Sequence, residues 1–246
     1  MISSKINAIS RVSGNVLKLA IPAAIIGSTF AANDSHAKNA FNGWSVGGAA
    51  GYQYLSSQVT ATSTESPDSE EQKPNPSGSG VVGQLNAAYS KTSNNWYFGG
   101  KIFVDTSSAK AKKTSALISP AGAEDFTNEL TITKKYGVGV VGNLGRMLNP
   151  KTAVYGIFGL TYGKFKVKYN DTALGLGSSQ TKNAIGFPLG VGVSRAISDS
   201  VRIYGEGTYT YYNRFTTKDL RTSDESYVAK ISMREFNLLI GASYTF

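Results

Sequence analysis

From Gly43 to Phe246 the sequence alternates with a period of two. Successive side chains leave a β-strand on opposite sides, so this period marks a strand with two unlike faces. Trp44, Val46, Gly48, Ala50 and Tyr52 share one face, with Ser45, Gly47, Ala49, Gly51 and Gln53 on the other. Eight runs of this kind are legible, at about 43–55, 80–90, 96–106, 129–142, 151–167, 183–196, 201–215 and 231–246. Seven have an assignable apolar face; in the run 151–167 the outward face stays open. The connections alternate in length. Residues 56–79, 107–128, 168–182 and 216–230 are long, whereas 91–95, 143–150 and 197–200 are short. Helical periodicity is absent from all of this.

Period alone does not separate a water-soluble sheet from a membrane barrel; the chemistry of the second face does. Opposite the greasy faces stand Gln53, Gln84, Lys101, Asp105, Lys135, Arg202, Glu206 and Glu235, interspersed with glycine. Glycine weakens a strand and is wasted on a solvated face. In a narrow lumen it makes room for long neighbours, and the chain holds 27 glycines. The apolar faces then point into lipid and the polar faces inward. Unpaired buried charges are costly, so Lys101, Asp105, Lys135, Arg202, Glu206 and Glu235 are expected to form a lumenal network. Of the 14 tyrosines, several join Trp44, Trp96 and Phe246 near run ends, where aromatic girdles sit at membrane interfaces. The fold expected is therefore all-β: an eight-stranded antiparallel up-and-down transmembrane β-barrel, with the short turns and both chain ends on one side. Pro188 sits inside the sixth run and predicts a bulge or a lost ladder bond there.

Residues 1–37 read as a signal peptide that is removed. Lys5, Arg11 and Lys18 precede the apolar run Leu19–Gly27, which is too short to span a bilayer, and Ser35-His36-Ala37 ends in small residues. The barrel domain then occupies 38–246. The cut removes three basic residues and one acidic residue, so the surplus of positive charge falls from 9 to 7. With the rest shared between lumen and loops, no nucleic-acid partner is expected. His36, the single histidine, leaves with the signal, and general-base chemistry near neutral pH usually falls to histidine. No enzyme, cofactor or metal site is expected, and the absence of cysteine excludes a disulfide framework. Gly137-Val138-Gly139-Val140-Val141-Gly142 matches a dinucleotide fingerprint by spacing, yet it lies within a strand rather than between a strand and a helix.

The signal, the Gly43-Trp44 opening, the glycine-rich alternating runs and the closing Ile240-Gly241-Ala242-Ser243-Tyr244-Thr245-Phe246 carry a resemblance. Over about residues 41–246 the chain resembles the small eight-stranded outer-membrane β-barrel family of the OmpA barrel domain, OmpX/Ail and opacity-type surface antigens. The resemblance implies a bacterial outer-membrane location and an assembly signal at Tyr244 and Phe246 read by the barrel assembly machinery. It also implies a surrounding of outer-membrane lipid and lipopolysaccharide. The expected role is non-enzymatic: a scaffold and surface antigen or adhesin whose four long loops meet host surface or matrix molecules. The alternative is a small porin-like channel gated by the lumenal charges. Lys110, Lys112 and Lys113 form a candidate loop patch for sulfated sugars or lipopolysaccharide phosphates.

Overall fold

A computed structural model of the chain describes residues 40–63, 75–117, 126–171, 176–222 and 225–246. The expected signal segment and the tips of the four long connections lie outside the described residues. The strands are β1 (Gly43–Ser63), β2 (Ser77–Ser93), β3 (Trp96–Ser107), β4 (Lys110–Leu117), β5 (Phe126–Asn149), β6 (Thr152–Asp171), β7 (Leu176–Ala196), β8 (Val201–Tyr212), β9 (Phe215–Thr222) and β10 (Glu225–Thr245). All neighbours pair antiparallel, and β1 pairs with both β10 and β2, so the sheet closes on itself. β4 continues β3 along β5, and β9 continues β8 along β10. Ten segments thus make the eight staves expected. At the break before β4 the Ser107 hydroxyl accepts from the Ala109 N–H at 2.9 Å. At the break before β9 the Asn213 side-chain oxygen accepts from the Ile185 N–H at 2.9 Å. Side chains therefore supplement backbone bonds where the two staves are interrupted.

Three tight turns close one end. Asn94 and Asn95 both have positive φ (49° and 65°) between the paired Ser93 and Trp96, the two-residue hairpin whose twist matches that of its strands. Pro150-Lys151 and residues 197–200 make the other two. The first and last strands of the barrel meet here too, with the Phe246 N–H donating to the Trp44 carbonyl at 2.9 Å.

The long connections are shorter than the alternation indicated. Residues 56–63, 77–79, 110–117, 126–128, 168–171, 176–182, 216–222 and 225–230 are strand, so most of the expected loops 56–79, 107–128, 168–182 and 216–230 is barrel wall. The sequence criterion was an apolar outward face, and that face ends at the upper girdle. Tyr52, Tyr54, Tyr136, Tyr162, Tyr209 and Tyr211 are exposed at that level, while Trp44, Tyr89, Trp96, Tyr244 and Phe246 are exposed at the turn end. Trp44 and Tyr54 are ten positions apart on β1, which at about 3.3 Å per residue and a tilt of about 40° is a rise of about 25 Å, the height of an apolar belt.

Above the girdle the polarity inverts while the alternation continues. Leu55, Ala109, Ala111, Ile132, Phe165, Val167, Ala184, Tyr212, Ile231 and Met233 point inward and pack as one buried cluster. The outward residues there are polar, mostly Lys, Thr, Ser and Asn, with Gln58, Glu129 and Arg234 among them. Burial also assigns β6, whose outward face is Val154, Phe158, Leu160 and Tyr162, with Tyr155, Ile157 and Phe165 inside. At Pro188 the pairing to β6 is interrupted between Phe158↔Leu189 and Thr161↔Gly186 without a change of register, while β8 still pairs with it. Proline thus causes a lost ladder bond and no bulge. Phe165 is fully buried edge-on against Tyr212, with ring centroids 5.0 Å apart. Phe165→Ala should lower stability by about 3–5 kcal/mol in denaturant unfolding of the folded barrel, the cost of a large core deletion. Lipid-facing Phe158→Ala should cost clearly less.

Candidate functional site

The lumen is filled by three polar layers between two apolar ones. Next to the turn end, Ala40, Phe41, Tyr97, Val141, Ala153, Tyr155, Ile157 and Ala196 form a buried floor. The Phe41 ring sits 5.4 Å from the Arg202 guanidinium, which donates to Ser45 Oγ at 3.0 Å and Ser90 Oγ at 3.2 Å. One layer up, the Lys101 ammonium and the Tyr155 hydroxyl both donate to Glu206. The uppermost polar layer centres on Lys134. Its ammonium bridges Asp105 Oδ1 at 2.8 Å and Glu235 Oε1 at 3.0 Å, and its side chain is 0 % exposed. Tyr212 donates to Glu235 Oε2 at 3.0 Å, Asn237 Nδ2 donates to Oε1 of the same carboxylate, and Gln53 Nε2 donates to Asn237 Oδ1 at 2.9 Å. Two carboxylates facing each other inside a barrel require a cation between them.

Of the residues expected in this network, Lys101, Asp105, Arg202, Glu206 and Glu235 are buried and inward. Lys135 is not among them: it is exposed on the outer wall, and Lys134 occupies the lumen instead. The cause is a β-bulge, where the register of β5 against β6 shifts between Lys134 and Tyr136. One extra residue in a strand breaks the period of two, so counting back from outward Tyr136 and Val138 assigns Lys134 and Lys135 to the wrong sides. No sequence signal marks the bulge. Glycine does make room as expected: a Cβ on Gly137 would lie 2.8 Å from Asp105 Oδ1 and 3.0 Å from Lys134 Cε. The fingerprint-like run 137–142 is thus lumenal wall. Near Lys101 and Glu206 a void of about 20 Å³ remains, room for about one water.

Outside, a second charged feature lies on the wall of β4, β5, β6 and β7 above the girdle. Lys110 pairs with Thr133 and Lys112 with Thr131. On the other side Thr133 pairs with Lys166 and Thr131 with Lys168. Directly paired residues share a face, so each threonine stands between two outward lysines. Together with Lys135 these residues line an open groove of about 770 Å³. One rung lower, Lys164 lies over the Tyr136 ring at 5.7 Å. The groove holds five lysines and one acid, Glu129. Lys112 pairs with Glu129 at 2.8 Å and Thr131 donates to it at 3.0 Å, which together hold its carboxyl below the usual range. The candidate patch Lys110, Lys112 and Lys113 is therefore on strand β4 and not in a loop; Lys110 and Lys112 face the groove, and Lys113 is exposed outside it.

A closed sheet with lipid-facing apolar belt, aromatic girdles and ion-paired lumen defines a membrane-spanning β-barrel. The family model described as outer membrane protein beta-barrel domain matches residues 22–246, and the chain belongs to that family. The match begins inside the expected signal segment. The family is one of the bacterial outer membrane, which places the chain there. Among solved structures, the outer membrane protease OmpT from Escherichia coli is 9% identical with a TM-score of 0.50, over 84% of this chain and 97% of that one. Ail, the attachment invasion locus protein of Yersinia pestis, solved with the heparin analogue sucrose octasulfate, is 17% identical with a TM-score of 0.30, over 81% and 99%. Neisserial surface protein A is 16% identical with a TM-score of 0.36, over 83% and 98%. A comparison with curated proteins found no match.

The lumenal network has a direct test. Lys134→Ala leaves Asp105 and Glu235 facing each other and should cost about 3–5 kcal/mol in equilibrium unfolding of the folded barrel. Adding Asp105→Asn and Glu235→Gln to that variant should recover much of the loss, because it removes the stranded charges.

Proposed function

We propose that the protein is a non-enzymatic surface protein of the bacterial outer membrane, a closed scaffold whose recognition elements are the wall and connections above the girdle. The observation that carries this reading is the filled lumen. An apolar floor, three hydrogen-bonded layers and an apolar roof leave a void of about 20 Å³ at mid-barrel. A channel would need Lys134 to part from Asp105 and Glu235, Lys101 from Glu206, and Phe165 and its neighbours to leave their packing. That weakens the porin-like alternative. The fold is shared with a protease, but no histidine occurs among the described residues and the sole histidine of the sequence is His36. The buried acids are engaged with Lys101 and Lys134 rather than open to substrate.

The reading includes export through residues 1–37 and assembly by the barrel machinery through the C-terminal aromatics. Tyr244 and Phe246 are exposed on the outer wall at the turn end, their rings 5.3 Å apart, where a docking factor can reach them. Deleting Phe246 should reduce the amount of heat-modifiable barrel in outer-membrane fractions; an unchanged amount would remove that role. The pure protein should be electrically silent in planar bilayers, and steady conductance would establish the channel instead. In a screen against host glycans and matrix proteins, trimming the four connections to two-residue turns should abolish whatever binding the intact barrel shows. Binding that survives the trimming would count against a loop-borne adhesin.

A further inference from the structure

We infer that the outer-wall groove between β4 and β6 is a binding site for the phosphorylated headgroup of an outer-leaflet glycolipid. The inference rests on the membrane placement of the barrel and is independent of the role proposed for the connections.

The register builds the site. Two successive rungs place a threonine of β5 between a lysine of β4 and a lysine of β6, Lys110–Thr133–Lys166 and Lys112–Thr131–Lys168. Neighbouring strands are about 4.8 Å apart, so the two lysines of a rung are rooted about 10 Å apart across the threonine. Four-carbon stems close that span on a tetrahedral anion from both sides, and the hydroxyl between them supplies a third donor. Lys112 is taken by Glu129, whereas no acid among the described residues pairs with Lys110, Lys135, Lys166 or Lys168. Like charges gathered without counter-charges repel one another, and a bound anion relieves that repulsion.

Position selects the source of the anion. The groove faces sideways, along the membrane plane, and begins just above the girdle residues Tyr136 and Tyr162. Two strand residues rise about 5 Å at a tilt of about 40°. Lys164, Lys166 and Lys168 therefore stand about 5, 10 and 15 Å above Tyr162. The headgroup layer of a phospholipid is about 5–8 Å deep. A phospholipid phosphate reaches the lowest lysine alone. A glycolipid whose sugars carry several phosphates reaches all three heights.

The test uses the folded full-length barrel in detergent, titrated with purified lipopolysaccharide, chemically dephosphorylated lipopolysaccharide, phosphatidylglycerol micelles and heparin. Lipopolysaccharide should bind tightest, and loss of its phosphates or a rise in salt should weaken it. Lys135→Gln/Lys166→Gln/Lys168→Gln should weaken it by on the order of a hundredfold, taking about fivefold per lysine near a charged surface. The matching triple Lys→Arg variant should retain binding. Both variants should remain heat-modifiable, since the lysines lie outside the core. Equal binding of the dephosphorylated lipid, or an undiminished affinity in the Gln variant, would overturn the assignment. Heparin binding that depends on these lysines while lipopolysaccharide binding does not would assign the groove to a soluble polyanion. Loss of binding on trimming the connections, with the groove intact, would also count against it.

Discussion

Closure of the sheet is the constraint on which everything else depends. In lipid no water is available to unpaired backbone groups, so a sheet that crosses the membrane must have no edge. The register of β1 with both β10 and β2 provides this. Closure also creates an interior that is narrow and inescapable: each strand must put half its side chains into it. At eight strands that space is barely wide enough for side chains to fill. Hence the glycines beside the bulky groups. Gly137 lies beside the Lys134–Asp105 pair, Gly192 under the Tyr155 ring and Gly241 under the Tyr204 ring.

The interior then answers to what surrounds the wall at each height. Within the lipid belt the outward positions must be apolar, and the inward positions carry the polar groups that pair with one another. Beyond the belt the wall meets water, and the same strands reverse their chemistry without losing their phase. On β1, Tyr52 and Tyr54 point out and Gln53 points in; the next inward residue, Leu55, already belongs to the apolar roof. The Lys134 layer is the boundary between these regimes, and the ion pairs there lie directly beneath Phe165 and Tyr212.

Most of the fold was legible because lipid imposes an unbroken apolar face on every stave. Strand number, closure, the tight turns, the girdles and the inward placement of Lys101, Asp105, Arg202, Glu206 and Glu235 all follow from that face. What was not legible has a common origin, namely places where the outward face carries no such demand. The extensions above the girdle alternate polar-out and apolar-in, the pattern of a solvated sheet, and so read as loop. β6 was ambiguous because Tyr155, Ile157 and Phe165 fill the floor and roof while Val154, Phe158 and Leu160 face lipid. The bulge at Lys134 is backbone geometry that no side chain announces. It exchanged two adjacent lysines, one the keystone of the lumen and the other a member of the outer groove.

The reversal of polarity along the strands divides the molecule into two solubility regimes. Above the girdle the wall obeys the rule of a water-soluble barrel, with an apolar interior and a polar exterior. Only the belt between the two aromatic rings requires a membrane. A water-soluble version of this fold would then need new residues at the outward positions of that belt alone, such as Val81, Leu85, Ile102 and Val191, while the ion-paired interior and the upper third could stay as they are. Membrane residence is encoded in one zone of one surface.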